Sequence, residues 1–402
     1  MEVGTAVERV ALARRATHLM TTRPAPESAD VISLGSGHGF PEVFPDLTEM
    51  AREALTKYRS ETLQYGPALG LPAMREWIAG YMNENGLNFS AENVLVVNGA
   101  KQGLDLICRL LLDEGDAVVV SAPTYFTCIP IFRSFGAEFI EVSQDSEGLV
   151  VSELRETLER RKDAGKSVPK LIYDVPDYHN PSGVTMSRKR REALVQLADA
   201  YGIYIVEDSP YRRVRFEGEQ EPMVKSFDRG DIVFVLGTFS KLVAPGLRIG
   251  WVGTSKEMVA RLSQLKSDAG SCPLTQRMIL EFCDAGHLAA HTKRVQDTYR
   301  VHRDTMLAAL RSELPEAAFA IPRGGYYLWL TLPAEVDGEK LAERALNEKV
   351  GVISGNKFFA GAGPNRRGAP KNHVRLCYSH ADPNEIKEAI RRLARAVRSM
   401  SR

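Results

Sequence analysis

Residues 238–251 read TFSKLVAPGLRIGW, which sets one lysine, Lys241, beside the hydroxyls of Thr238 and Ser240 and reaches Arg248 through a Pro-Gly turn. The stretch joins two apolar, β-branched runs, DIVFVLG (231–237) and IGWVGT (249–254), so it reads as a turn at the end of a strand. Hydroxyls and a guanidinium suit a phosphate. An amine near Arg248 in a partly desolvated pocket has a lowered pKa and attacks carbonyl carbon. A phosphorylated aldehyde would use both halves of this motif.

Working outward, further candidate strands are VLVV (94–97), AVVVS (117–121), FIEV (139–142), KLIYDV (170–175) and IYIVE (203–207). Amphipathic stretches such as GLDLICRLLL, SELRETLERRKD and SRKRREALVQLADAYG separate them. Strand and helix in alternation predict an α/β fold, a mostly parallel sheet sandwiched by helices, over residues 46–285. Beyond 285 the rhythm changes to a long polar helix ending before Pro315, then strands GGYYLWLTL and HVRLCYS with helices beside them. That predicts a smaller α+β domain over 286–402. Residues 1–45 are expected to form an amphipathic N-terminal helix and an arm that packs on the small domain. The Gly- and base-rich segment 355–373 reads as a mobile surface loop.

Composition narrows the function. The 402 residues carry 52 basic and 51 acidic side chains, so no electrostatic footprint for nucleic acid or a membrane surface is present. The longest run of like charge, RKRR (188–191), reads as a solvated helix face. Five scattered cysteines form no CxxC pair, which argues against a disulfide framework and against a metal site. No apolar run approaches membrane-spanning length, and a cytoplasmic protein is expected.

The chemistry-bearing residues fall at the carboxyl ends of the candidate strands, where open α/β sheets bind ligands. Asn98-Gly99-Ala100-Lys101-Gln102 opens a helix, and its free N–H groups form an anion site or a simple cap. LGSGHGF (34–40) lacks the GxGxxG spacing, and GAKQG lacks that of a Walker A loop. In VEDSPY, one of Glu207 and Asp208 faces the site by strand alternation, with Tyr211 three residues on. A carboxylate there would keep the ring nitrogen of pyridoxal phosphate protonated. Asn180, in HNPSG, and Tyr211 could bind that cofactor's phenolic oxygen. Tyr125, in APTYF, is a stacking or a core ring. Arg375 lies in the apolar strand VRLCYS, where a substrate carboxylate or an internal salt bridge would satisfy it.

Taken in order, YGPALGLPAMRE, NGAKQGLDL, PTYF, HNPSG, VEDSPY, TFSKLVAPGLRIGW, GGYYLWL and VRLCYS resemble the fold-type-I pyridoxal-phosphate enzymes, and within them the class I/II aminotransferases. The similarity runs from Tyr65 to Ser379 and is strongest to the branch of 2-aminoadipate and kynurenine aminotransferases. The resemblance implies that Lys241 forms the Schiff base and shuttles the proton, and that Asp208 pairs with the ring nitrogen. It gives the phenolic oxygen to Asn180 and Tyr211, ring stacking to Tyr125, and the phosphate to Ala100, Lys101, Thr238, Ser240 and Arg248. Arg375 would clamp the substrate carboxylate, with Asn180, Gly39 and His38 nearby. Tyr65 would reach the neighbouring subunit's site in a homodimer. The chain departs from the family at Ala100-Lys101, where Ser-Gln is usual, at His38, usually a small residue, and at His179, where glutamine is common.

Transfer of an amino group from an L-amino acid to a 2-oxo acid is the expected reaction. A relative that turns the same carbanion to elimination, replacement, cyclisation or oxidation is the alternative. A transcriptional regulator carrying this domain is disfavoured, because only about thirty residues precede VISLGSG. Arg23, His38, Lys101 and the 355–373 segment are candidate side-chain contacts that the residues leave unranked.

Overall fold

The computed structural model describes residues 30–361 and 370–400, with Ala13. The expected N-terminal helix, Arg23 and the centre of the 355–373 segment lie outside the described residues. Thirteen strands are defined: β1 (Ile32–Ser33), β2 (Val94–Val97), β3 (Ala117–Ala122), β4 (Glu138–Asp145), β5 (Gly148–Leu149), β6 (Leu171–Asp174), β7 (Tyr204–Asp208), β8 (Val233–Thr238), β9 (Gly250–Gly253), β10 (Tyr327–Thr331), β11 (Val350–Gly351), β12 (Ile353–Ser354) and β13 (His373–Cys377).

Eight of them form one sheet in the order β2-β9-β8-β7-β6-β3-β4-β5. The neighbours from β8 through β7, β6 and β3 to β4 are parallel. β9 runs antiparallel to both β8 and β2, so β2 points the same way as β8. The parallel strands read as unbroken apolar runs because both faces are covered. Val118 and Val120 of β3 pack with Leu104 and Ile107 of helix Ala100–Leu111. Val119, between them, packs with Leu154, Leu158 and Leu194 from helices Val151–Asp163 and Arg188–Tyr201 on the opposite face.

After helix Pro273–Asp284 and the 27-residue helix His287–Glu313 comes a second sheet, β10-β13-β12, antiparallel throughout. The long helix packs along the C-terminal helix Pro383–Met400. β1 pairs in parallel with β11, and the Leu34 carbonyl accepts from Cys377 N at 2.7 Å. This pairing delivers residues 35–40 to the gap between the two sheets.

Two expectations are corrected here. Arg188 and Lys189 of RKRR are exposed, but Arg191 is 0% exposed. Its guanidinium donates to Asp177 Oδ1 at 2.7 Å and to the carbonyls of Met186, Pro176 and Pro222 at 2.9–3.0 Å. One residue in four of a basic run has turned inward because the helix repeat carries it there. Segment 355–373 is not a surface loop at its start. Residues Gly355–Phe358 form a short 3-10 helix with Phe358 fully buried, and the Phe358 carbonyl accepts from Thr124 N at 2.7 Å.

Candidate active site

The ends of β2, β3, β6, β7 and β8 open on one edge of the large sheet, and the site is assembled there. Beyond β8, Phe239 is buried against Trp77 and Trp251, and its carbonyl accepts from Val243 N at 2.7 Å. This closes a single turn that presents Lys241. The lysine is half-buried, its Nζ donating to the Gly37 carbonyl at 2.6 Å and lying 4.9 Å from the centre of the Tyr326 ring. Burial draws its pKa down to about 8, opposed by Cys377 and aided by the cations Arg375 and Arg248. A fraction of the amine is therefore unprotonated and nucleophilic near neutral pH.

At the end of β7, alternation sends the two acids apart. Glu207 points away, accepting from the backbone N–H groups of Val224 and Lys225 at 3.0 Å each. Asp208 faces the site and is buried; its Oδ2 accepts from the Tyr173 hydroxyl at 2.7 Å, while Oδ1 meets no partner. Burial raises its carboxyl pKa to about 6, and the Tyr173 bond works against that rise.

Arg375 on β13 is buried and donates from Nη1 to Asn180 Oδ1 at 2.9 Å and from Nη2 to the Gly35 carbonyl at 2.6 Å. The rings of Tyr327, Phe358 and Phe126 lie 4.2, 5.0 and 5.5 Å from the guanidinium carbon. Among the described residues no carboxylate pairs with it. Arg375 Nε and Asn180 Nδ2 are both buried without a partner. Such groups cost about 1–3 kcal/mol each if left unmet, so a ligand is what this site is built around.

Thr238, Ser240, Arg248 and the start of helix Ala100–Leu111 form a cup. Thr238 Oγ1 donates to Ser240 Oγ at 3.0 Å, and Arg248 reaches across to the Asn98 carbonyl at 3.0 Å. Gly99 precedes the helix with φ 84°, and a Cβ there would meet Arg248 Nη2 at 2.6 Å. Ala100 is half-buried and Lys101 exposed. Tyr125 is half-buried after β3, and Tyr211 is buried with its hydroxyl 3.3 Å from that of Tyr327.

Other sequence candidates sit at the margin. His38 is exposed, its ring edge-on to His380 at 5.7 Å. Gly39 is buried against Phe44 and Tyr299; a Cβ there would lie 2.9 Å from the Phe44 ring and 3.2 Å from the Tyr299 hydroxyl. Tyr65 is 84% exposed and faces away from the chain. His179 is buried between the hydroxyls of Ser121 and Ser182 at 3.0 Å each, and burial holds its pKa down to about 3, so it is a neutral brace for the Asn180 turn. Sequence reasoning missed Tyr173, Tyr326, Tyr327, Phe126, Phe358 and the Gly35 and Gly37 carbonyls. The one available signal was the polar-tipped rings in GGYYLWL and LIYDV.

The groups gathered here fit pyridoxal 5'-phosphate: an acid with an unmet oxygen for the ring nitrogen, an amide with an unmet N–H for the phenolic oxygen, a cup for the phosphate and an amine for the aldehyde. Fold and site together define a pyridoxal-phosphate-dependent enzyme of the α/β type. Residues 29–393 match the family model described as "Aminotransferase class I and II", and the chain belongs to that family. It is 35% identical to aromatic-amino-acid aminotransferase 1 of Thermococcus litoralis, over 96% of this chain and 93% of that one. It is 32% identical to 2-aminoadipate transaminase of Thermus thermophilus, over 95% and 92%. Its fold superimposes on Pyrococcus horikoshii kynurenine aminotransferase, solved with the pyridoxamine form of the cofactor and with substrate and product, at a TM-score of 0.91, 34% identity and 98% coverage of both chains. The protein is a pyridoxal-phosphate-dependent aminotransferase. Among the described residues no helix is long and apolar enough to cross a membrane.

Proposed function

We propose that transamination runs through Lys241 as the Schiff-base lysine, with Asp208, Asn180, Tyr211 and Arg375 as its fixed partners. The observation that carries this reading is that Asp208 Oδ1 and Asn180 Nδ2, at the large-sheet edge with the Lys241 amine, and Arg375 Nε, on the second sheet, are all buried without a partner. Pyridoxal phosphate, when bound, supplies an aldehyde that links to amines and a ring that draws electrons from the substrate Cα. Asp208 holds a proton on the ring nitrogen through Oδ1, and Tyr173 keeps its other oxygen in place. Asn180 Nδ2 and the Tyr211 hydroxyl donate to the phenolic oxygen, and Tyr125 covers the ring. Thr238, Ser240, Arg248 and the N–H groups at Ala100 and Lys101 hold the phosphate, with the helix dipole in the favourable sense. Arg375 binds the substrate α-carboxylate, and Lys241 Nζ carries the proton to and from Cα as the general base and acid.

The donor is an L-amino acid with an aromatic or long side chain, and the acceptor a 2-oxo acid. The relatives named for aromatic amino acids, 2-aminoadipate and kynurenine support this choice. So does the ring cluster of Phe126, Phe358 and Trp329 beside Arg375. The working unit is a cytoplasmic homodimer in which the exposed Tyr65 completes the partner's phosphate site. Borohydride treatment followed by peptide mass analysis should find the cofactor on Lys241 and none on the Lys241→Ala variant. Label on any other lysine would overturn the assignment. Titration with aromatic and acidic amino acids, without oxo acid, should release one oxo acid per site. Release of ammonia instead would exclude transamination.

A further inference from the structure

The site contains a further phenol that the roles above do not use. Tyr327, at the start of β10, is buried, and its hydroxyl lies 3.3 Å from that of Tyr211. Its ring lies beneath the Arg375 guanidinium at 4.2 Å. The same hydroxyl abuts Gly37, where a Cβ would collide with it, and the Gly37 carbonyl accepts from Lys241 Nζ. One side chain thus touches the residue assigned to the cofactor's phenolic oxygen, the residue assigned to the substrate carboxylate, and the backbone that holds the lysine.

We propose that Tyr327 is a positioning residue that strengthens Tyr211 as a hydrogen-bond donor by donating its own hydroxyl proton to the Tyr211 oxygen, and that it holds the Arg375 guanidinium flat through its ring. Hydroxyl rotors exchange donor and acceptor roles freely. Once Tyr211 turns its proton to the cofactor, its oxygen becomes the acceptor for Tyr327. A phenol that accepts a hydrogen bond is a better donor, because each bond in a chain polarises the next. The buried setting favours this, since Tyr327 is only 3% exposed. Arg375 gains from a cation–π contact in a desolvated site, and its planar fork is fixed before a carboxylate arrives.

The inference rests on the reading that Tyr211 donates to the phenolic oxygen, and its test separates the two. A donor to that oxygen draws electron density from it and weakens its hold on the proton shared with the lysine-linked nitrogen. Loss of donor strength therefore raises the pH midpoint of the absorption change of the lysine-bound cofactor. The experiment is a spectrophotometric pH titration of the cofactor-loaded wild type, Tyr327→Phe, Tyr211→Phe and the double variant. Tyr327→Phe should raise the midpoint by about half a pH unit, Tyr211→Phe by more, and the double variant by no more than Tyr211→Phe alone, as expected for two groups acting in series. Because the ring remains, Tyr327→Phe should leave KM for the amino acid within about twofold, whereas Tyr327→Leu should raise it about tenfold. A Tyr327→Phe midpoint equal to wild type, or shifts that add in the double variant, would overturn the proposal while leaving Tyr211 in place. No shift in Tyr211→Phe would overturn both. If Tyr327→Phe does not load cofactor, difluorotyrosine at position 327 keeps the side chain and makes it a stronger donor. The midpoint should then fall, and an unmoved midpoint would count against the proposal.

Discussion

Asp208 shows how one carboxylate couples stability to function. In the cofactor-free protein its pKa stands at about 6, above the ordinary 3.8, because burial penalises the anion. The folded state therefore holds this proton where the unfolded chain has released it. The stability that goes with the bound proton is fully present below the unfolded pKa and is lost as pH rises through the folded one. Asp208→Asn removes that penalty, so the cofactor-free variant should be more stable than wild type at pH ~8 by on the order of 1–3 kcal/mol, and equal to it near pH ~4. Urea unfolding at the two pH values checks this. In the loaded enzyme the same change should lower kcat by about a hundredfold, since the ring nitrogen loses its charged partner. Lys241 was legible because its motif is short and local, whereas the choice of this acid over Glu207 came from the family resemblance alone. Tyr173 was not, since its bond to Asp208 spans neighbouring strands whose order no local pattern states.

Helix Arg188–Tyr201 carries its meaning in the turn rather than the residue. Arg188 and Arg191 are written alike in RKRR, yet the first is exposed and the second has Asp177 within 2.7 Å in a fully buried setting. Asp177 also accepts from Arg212 at 3.0 Å. Arg191→Met should cost about 3–5 kcal/mol in denaturant unfolding, because it leaves buried acceptors and a shared carboxylate behind. Arg188→Ala should stay within about 0.5 kcal/mol. The network lies directly under the Asp177-Tyr178-His179-Asn180 turn, so a drop in cofactor affinity should accompany the first variant. The seven strands expected from the large-sheet region all form, and their ends shift by a few residues at most, because long apolar runs bounded by polar turns leave little choice. Glu207 and Asp208 were beyond that reading. Alternation separates them, but which one faces the ligand depends on which helix covers which face.

Across the whole molecule, the site draws on residues from 35 to 375, and Tyr65 carries the question beyond one chain. With 84% of its surface exposed and Leu63 beside it at 62%, this ring is open to a partner surface. Tyr65→Ala should lower cofactor affinity about tenfold or more. Mixing it with Lys241→Ala in equal amounts under subunit exchange should restore activity toward about a quarter that of an equal amount of wild-type protein, since about half the dimers are hybrid and each hybrid has one competent site. Each hybrid dimer would contain one site with its own Lys241 and the partner's Tyr65. Mixtures as inactive as either parent would place Tyr65 outside the neighbouring site.

The sequence by itself determined the α/β pattern of the large sheet, the placing of Lys241 with Thr238, Ser240 and Arg248 in one strand-end turn and, through the order of the motifs, the family, since each of these is written in contiguous residues whose spacing obeys strand and helix geometry. Tertiary structure alone decided that Arg191 turns inward, that segment 35–40 lies across Lys241 and Arg375, and that Tyr173 and Tyr327 stand behind Asp208 and Tyr211. The physical reason is the same in every case. These are contacts between residues from about 15 to 340 positions apart, made only when burial forces each polar group to find its partner wherever the fold has placed one.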